Sequence, residues 1–274
     1  MLYKRFGWTG VEVSVIGQGT WQVRDKKAGA AALEAGLAAG MTHIDTAELY
    51  TGSEQMIAPL LEGRRDQVFL VSKVLPRNAS YKGTLEHCQK SLDRLGTDYL
   101  DVYLQHWRTD TYPLEDTMRA LGELVDSGKI RYLGVSNFDV EDLEEVESYL
   151  GRHKIACNQV LYNLQDRSIE EGVLPWCREH DVALVGYSPF GTGNFPGPNT
   201  KGGKVLAAVA QRLGKTPHQV ALAFLTREPL LFTIPKTENP DHARVNAGGA
   251  FELPREAVAE IDAAFPLHQG LHVR

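Results

Sequence analysis

Short apolar runs alternate with amphipathic stretches of helical period along nearly the whole chain. The runs fall at residues 15–18, 42–45, 68–74, 99–105, 130–135, 155–161, 182–187 and 231–234, each bounded by glycine or a polar turn, the pattern of strands buried on both faces. Between them lie segments with one apolar face. In 84–95, Leu85, Cys88, Leu92 and Leu95 share a face and Gly96 supplies the stop. Residues 140–150 repeat the scheme with Leu143, Val146 and Leu150, followed by Gly151. Thr216-Pro217-His218-Gln219 reads as a capping box with proline at the first helical position, and Asn239-Pro240-Asp241 opens another helix in the same way. Eight strand–helix units in series predict a parallel sheet, and the count and length favour closure into an α/β (β/α)8 TIM barrel. An open doubly wound sheet would advertise a G-x-G-x-x-G turn after its first strand, and there is none. Residues 2–13, ahead of the first barrel strand, are expected to form a short N-terminal β-hairpin closing the barrel bottom. Residues 191–203, rich in Gly, Pro and Asn, read as a long functional loop. With no linker and no further repeat, residues 1–274 are expected to form one barrel domain.

Composition changes this picture little. A chain 43% hydrophobic and 23% charged buries a core without disulfides, and Cys88, Cys157 and Cys177 follow neither a zinc spacing nor a paired framework. They read as small buried hydrophobes in a reduced protein. A formal net charge of −6 gives no reason to expect a nucleic-acid partner. The opening MLYKRFGWTG lacks the layout of a signal peptide, and no stretch reaches the roughly 20 apolar residues that span a membrane. The expectation is a cytoplasmic protein, monomeric or weakly dimeric.

Chemistry is sought among polar residues at the C-terminal strand ends, where barrels place their sites. Strand side chains alternate faces, so parity assigns direction. Phe69, Val71 and Lys73 share one face of the third strand; Leu100, Val102, Leu104 and His106 share one of the fourth, with Asp101 and Tyr103 opposite; His43 pairs with Asp45 in the second. Asp45, Lys73 and His106 thus end three consecutive strands on a common side, and Tyr50 lies in the loop after Asp45. Each alone has an ordinary reading: a hydrogen-bonded histidine, a solvated rim lysine, a helix-capping aspartate, a packing tyrosine. Together they describe a tuned acid. A phenol titrates near 10, a neighbouring ammonium lowers that value, and Asp45 balances the ammonium. A histidine beside the phenol can orient a substrate oxygen or join the proton relay. Such a site protonates a carbonyl and needs a separate source of hydride.

The sequence resembles the aldo-keto reductases over nearly its whole length. The resemblance is carried by Gly19-Thr20-Trp21, HIDTAELY ending in Tyr50, SKV around Lys73, LQHW around His106, GVSNF at 134–138, NQVLYN at 158–163, GYSP at 186–189 and IPKT at 234–237. It implies an NADP(H)-dependent oxidoreductase, of the alcohol dehydrogenase or carbonyl reductase type, that reduces aldehydes and ketones. The catalytic tetrad would be Asp45, Tyr50, Lys73 and His106. Ser136, Asn137 and Gln159 would hold the nicotinamide carboxamide with Tyr187 stacked on the ring. Gly19 and Thr20 would join this cofactor site, Ser188, Pro189 and Gly191 would follow the pyrophosphate, and Lys236 and Thr237 would take the 2′-phosphate of NADP. Trp21 and Trp107 would wall the substrate pocket beside Tyr50 and His106, and no metal is implied.

Two departures stand out. The family often has an arginine five residues after the threonine or serine of the IPK motif and an acidic residue three further on. Here these are His242 and Val245, with Asn246 retained. Arg244 is a nearby cation, but a two-residue shift on a helix turns it about 200° away. Lys236-Thr237 still favours NADP over NAD. The segment after His106 is brief and the tail after Phe265 is nine residues long, which predicts an open pocket tolerant of small carbonyl compounds. Other functions on the same residues would be a cofactor-sensing regulatory subunit with little turnover, a Schiff-base aldolase using Lys73, or a metal hydrolase built on His43, Asp45 and His106.

Overall fold

The computed structural model describes residues 1–267; residues 268–274, most of the short tail invoked above, lie outside the described residues. β1 (Tyr3–Arg5) and β2 (Glu12–Ser14) pair antiparallel. The strands β3 (Gln18–Gly19), β4 (His43–Asp45), β5 (Phe69–Val74), β6 (Leu100–Gln105), β7 (Ile130–Ser136), β8 (Ile155–Leu161), β9 (Ala183–Tyr187) and β10 (Leu231–Thr233) lie side by side in chain order, all parallel. The sheet closes on itself where Gly17 N donates to Thr233 O (2.7 Å), Thr233 N to Val15 O (3.0 Å) and Gly19 N to Pro235 O (3.1 Å). Glycine is needed at this seam, because a Cβ on Gly19 would sit 2.8 Å from Ile234 O. The first barrel strand is therefore shorter and later than the apolar run 15–18 indicates, with its seam made of isolated bridges at Ile16 and Gly19.

The helices are α1 (Lys26–Ala38), α2 (Ser53–Leu61), α3 (Tyr81–Leu95), α4 (Leu114–Asp126), α5 (Val140–Leu150), α6 (Val173–Glu179), α7 (Lys201–Leu213), α8 (Pro217–Leu225), α9 (Pro240–Ala247) and α10 (Arg255–Ala264). The caps of α8 and α9 follow the sequence signals: Thr216 and Gln219 form the capping box of α8, and the Asn239 side chain accepts from Asp241 N at the start of α9; Asp139 and Asp142 form a further capping box on α5. α3 begins before the apolar period does, because the Ser80 hydroxyl caps it through Gly83 N. The loop expected over 191–203 is cut short in the same way: Thr200 caps α7, which runs from Lys201.

Two apolar layers hold the barrel. Leu70, Tyr103, Leu133, Cys88 and Leu92 belong to the layer between strands and helices. Phe69, Val71, Val102, Leu104, Val185 and Phe232 fill the barrel itself together with Phe6 and Val13 of the hairpin. The Phe6 ring lies 4.8 Å from Phe69 and 5.1 Å from Phe232, so the hairpin plugs the barrel bottom. Leu100 departs from the parity assignment and packs in the outer layer. The Asp101 carboxylate on the same strand accepts from Leu70 N (2.9 Å) and pairs with Arg65 and Arg131. Cys88, Cys157 and Cys177 are buried and free. No helix among the described residues is long and apolar enough to cross a membrane.

A polar knot ties α10 to the barrel. Glu170 pairs with Arg167 and Arg227, each at 2.8 Å, and Arg167 also reaches Asp262 and the carbonyl of Phe265. Burial alone would raise the Glu170 carboxyl, but hydrogen bonds from Arg167 and Tyr162 and the charge of Arg227 hold it down at about 2, against an ordinary 4.5. A carboxylate with a depressed folded-state pKa stabilises the fold above its unfolded pKa and loses that contribution as pH falls toward the folded one. Glu170→Gln is therefore expected to lower Tm most at neutral pH, with the gap to wild type closing between about pH 4.5 and about pH 2. Thermal melts of both proteins across that range check this; a gap that does not change with pH would contradict it.

Candidate active site

The C-terminal ends of the barrel strands surround a cavity of about 340 Å3. β4 and β5 bring Asp45 and Lys73 together at its floor: Lys73 Nζ donates to Asp45 Oδ1 at 2.6 Å and to Thr46 O at 2.8 Å. The pair has 0% and 2% side-chain exposure, so neither charge has water to fall back on. Burial opposes the Lys73 ammonium, but Asp45 and Tyr50 more than offset it, and the lysine pKa stands above its ordinary value. The other Asp45 oxygen accepts from Gln159 Nε2 of β8 at 2.7 Å. Gln159 thereby commits its amide nitrogen to the floor and keeps its oxygen as an acceptor.

Tyr50 and His106 form the wall above this pair. Lys73 Nζ lies 5.2 Å from the centre of the Tyr50 ring, and the Tyr50 and His106 ring centres are 5.8 Å apart. The phenol differs from the sequence expectation in one respect. Burial raises its pKa, Lys73 lowers it and Asp45 raises it, and the balance lies above the ordinary 10. The ammonium acts in the expected direction but does not outweigh desolvation. His106 is stacked on Trp107 with ring centres 3.9 Å apart, and its Nδ1 is buried without a partner. Burial, reinforced by Lys73, pushes its pKa down to about 2, which leaves a neutral imidazole.

Gly19, Thr20, Trp21, Trp107, Ser136, Asn137, Gln159, Tyr187, Ser188 and Lys236 all line the same cavity. Thr20 Oγ1 donates to Asp45 O, Ser136 Oγ to Gln159 O and the Tyr187 hydroxyl to Asn137 Oδ1, so these side chains brace one another. Asn137, Ser188 and Thr192 hold left-handed φ of 61°, 52° and 52°, and Gln22, next to Trp21, holds 54°. Left-handed non-glycine residues are costly, and here three of them line one cavity. Trp21 and Trp107 remain 42% and 39% exposed, large aromatic faces turned to an open mouth.

Pro189, Gly191, Thr237, His242 and Asn246 do not line the cavity. Pro189 and Asn246 are buried, and His242 is exposed on α9. The Thr237 hydroxyl accepts from Asn239 N, and Arg244 pairs with Asp241 at 2.7 Å. Leu161, Thr192 and Ile234 line the cavity without having been singled out in the sequence. Leu161 was within reach of the parity argument, two residues beyond Gln159 on β8. Thr192 carries no sequence signal beyond its place between Gly191 and Gly193, both left-handed. His43 sits lower in the barrel against Phe6 and Phe69, and no cluster of three metal-ligating side chains occurs among the described residues.

A family model described as the aldo/keto reductase family matches residues 15–265. The chain belongs to that family. It is 38% identical to methylglyoxal reductase YeaE of Escherichia coli (strain K12), covering 95% of this chain and 94% of that protein. It is 34% identical to glyoxal reductase of Bacillus subtilis (strain 168), covering 93% and 90%. Among solved structures, an aldo/keto reductase from Klebsiella pneumoniae in complex with NADP and acetate superposes with a TM-score of 0.88 at 38% identity, covering 97% of this chain and 96% of that one. For this aldo-keto reductase, the (β/α)8 barrel with its small N-terminal hairpin is thus the architecture of its relatives as well.

Proposed function

We propose that this aldo-keto reductase uses NADPH to reduce small aldehydes, ketones and dicarbonyl compounds to alcohols, with Tyr50 as general acid. The observation that carries the reading is the buried Lys73–Asp45 pair beneath a cavity walled by a phenol and a neutral imidazole. The residues present suit a pyridine dinucleotide. Ser136, Asn137, Gln159 and Tyr187 would hold the nicotinamide end, with Gly19 and Thr20 alongside. Ser188, Pro189 and Gly191 would follow the pyrophosphate, and Lys236, Thr237, His242 and Asn246 would meet the phosphorylated ribose. The free Gln159 oxygen is the acceptor a carboxamide NH2 requires. When bound, the reduced nicotinamide supplies the hydride for the carbonyl carbon.

The chain's own residues manage the carbonyl oxygen and its proton. His106, uncharged at physiological pH, offers one N–H to orient the oxygen without competing for the proton. Tyr50 stays protonated until the oxygen develops alkoxide character. An alkoxide is a far stronger base than a phenolate, so the proton leaves Tyr50 for the oxygen even with a raised phenol pKa. The phenolate left behind faces the Lys73 ammonium, whose charge is fixed by Asp45. Trp21, Trp107 and Leu161 line the cavity and would offer the substrate apolar contact rather than a counter-ion. Neutral substrates therefore suit this end better than carboxylates, in keeping with relatives named for methylglyoxal and glyoxal. A Schiff base at Lys73 is disfavoured, because its amine is fully buried and held protonated.

Consumption of NADPH against methylglyoxal, glyoxal, aromatic aldehydes and 2-keto acids tests the reading. Neutral aldehydes and dicarbonyls are expected to be turned over with kcat/KM at least about tenfold above the 2-keto acids, a difference of about 1.4 kcal/mol. Tight NADPH binding without turnover of any carbonyl would point instead to a cofactor-sensing regulatory subunit.

A further inference from the structure

The segment that follows the eighth barrel strand, Lys236-Thr237-Glu238-Asn239-Pro240-Asp241-His242-Ala243-Arg244, holds two permanent cations and two acids. Each cation is matched: Lys236 Nζ lies 2.6 Å from Glu238 Oε1, and Arg244 pairs with Asp241 at 2.7 Å. Glu238 is anchored as well as paired. Its Oε1 accepts from Arg24 N (3.0 Å) and its Oε2 from Asp25 N (3.2 Å), two amides on the loop that leads from Trp21 into α1. The hydrogen bond from Lys236, with those amides, holds the carboxyl at about 2, so it is an anion throughout the physiological range. Lys26, the other nearby lysine, spends its ammonium on Val23 O and Ser53 Oγ. Lys236 is also the only lysine or arginine lining the cavity among the described residues. An incoming phosphate at this end thus meets a segment of no net charge, with a carboxylate already seated on its one available ammonium.

We propose that Glu238 is a cofactor-specificity residue: its carboxylate competes with a ribose 2′-phosphate for Lys236 and so narrows the preference for NADPH over NADH. The inference rests on the reading that a dinucleotide occupies this cavity with its adenosine end at Lys236. Discrimination between the two cofactors is a difference of affinities, and a resident like charge lowers it by penalising only the ligand that carries the extra phosphate. The two ligands differ by that single group, so a residue acting on it moves one affinity and not the other. Holding the loop of Arg24 and Asp25 against the segment 236–238 would, by contrast, influence both ligands alike.

Glu238→Gln separates these roles: it removes the charge and keeps an oxygen for one of the two loop amides, and loosening the loop at the other amide would affect both classes of ligand alike. NADP+, NAD+, 2′,5′-ADP and 5′-AMP are titrated by calorimetry into wild type and E238Q, with Tm measured to confirm folding. NADP+ and 2′,5′-ADP are expected to bind E238Q about fivefold more tightly, the size of a partly exposed ion pair. NAD+ and 5′-AMP are expected to gain nothing. Equal gains for both classes, or no gain for the 2′-phosphorylated ligands, would overturn the inference while leaving the cofactor site intact. If neither protein bound any of the four, the cofactor reading would fail, and the inference with it.

Discussion

Tyr50→Phe is expected to lower kcat for carbonyl reduction by about a hundredfold to ten-thousandfold, the range a positioned general acid contributes, while leaving the Kd for NADPH within about twofold. The substitution removes one hydroxyl and keeps the ring, so the edge contact with His106 and the ceiling over Lys73 survive. On the proposed mechanism, what is lost is the proton that the phenol supplies to the substrate oxygen. His106 is a poor replacement. With its pKa held at about 2 by burial and by Lys73, it carries no extra proton at any pH the enzyme meets. The same two shifts fix the pH dependence of the wild type. Tyr50 is protonated below its raised pKa and His106 is neutral above about 2. Reduction at saturating substrate is therefore expected to be flat from about pH 6 to pH 9, falling only as pH climbs through the phenol's pKa, above its ordinary 10. Steady-state kinetics of both proteins across that range are decisive. Near wild-type turnover by Y50F would remove Tyr50 from the mechanism.

Much of this site was legible in the sequence because side chains alternate faces along a strand. Lys73 shares a face with Val71 and Phe69, and those two do point into the barrel. His106 follows Leu104 on the same terms. Leu100, the first residue of β6, is the exception and packs in the outer layer. Helix ends were read well where a side chain caps within an apolar period, as at Thr216 and Asn239. They were read late at α3 and α7, where Ser80 and Thr200 cap turns containing glycine and lysine rather than apolar residues. The sign of the Tyr50 shift was not legible, because it depends on how far burial exceeds one ammonium. Glu238 was invisible for a related reason. Nothing in the order Lys-Thr-Glu says that the carboxylate folds back on the lysine, or that amides distant in sequence complete its seat. Motifs record which groups are present, whereas loop geometry decides which are already spoken for.

Lys73→Met is the substitution expected to damage stability and catalysis together, and the two losses can be separated. Asp45 is 2% exposed, and removing the ammonium leaves it with Gln159 as its remaining side-chain donor. Breaking a buried pair from one side costs about 3–5 kcal/mol, which for a chain of this size lowers Tm by roughly 10 °C. The deficit should narrow in acid, where the carboxylate takes up a proton and no buried charge remains. Adding Asp45→Asn removes that charge at all pH values, so D45N/K73M is expected to recover most of the lost Tm, as replacement of a whole buried pair commonly does. Turnover should not recover with it. In the double variant the phenolate formed on proton transfer has no cation to face, and kcat should remain at or below that of K73M alone. Thermal melts and kinetics on the three proteins test both halves. Recovery of activity along with stability would mean that Lys73 serves the fold alone, and that the charge beneath Tyr50 plays no part in moving the proton.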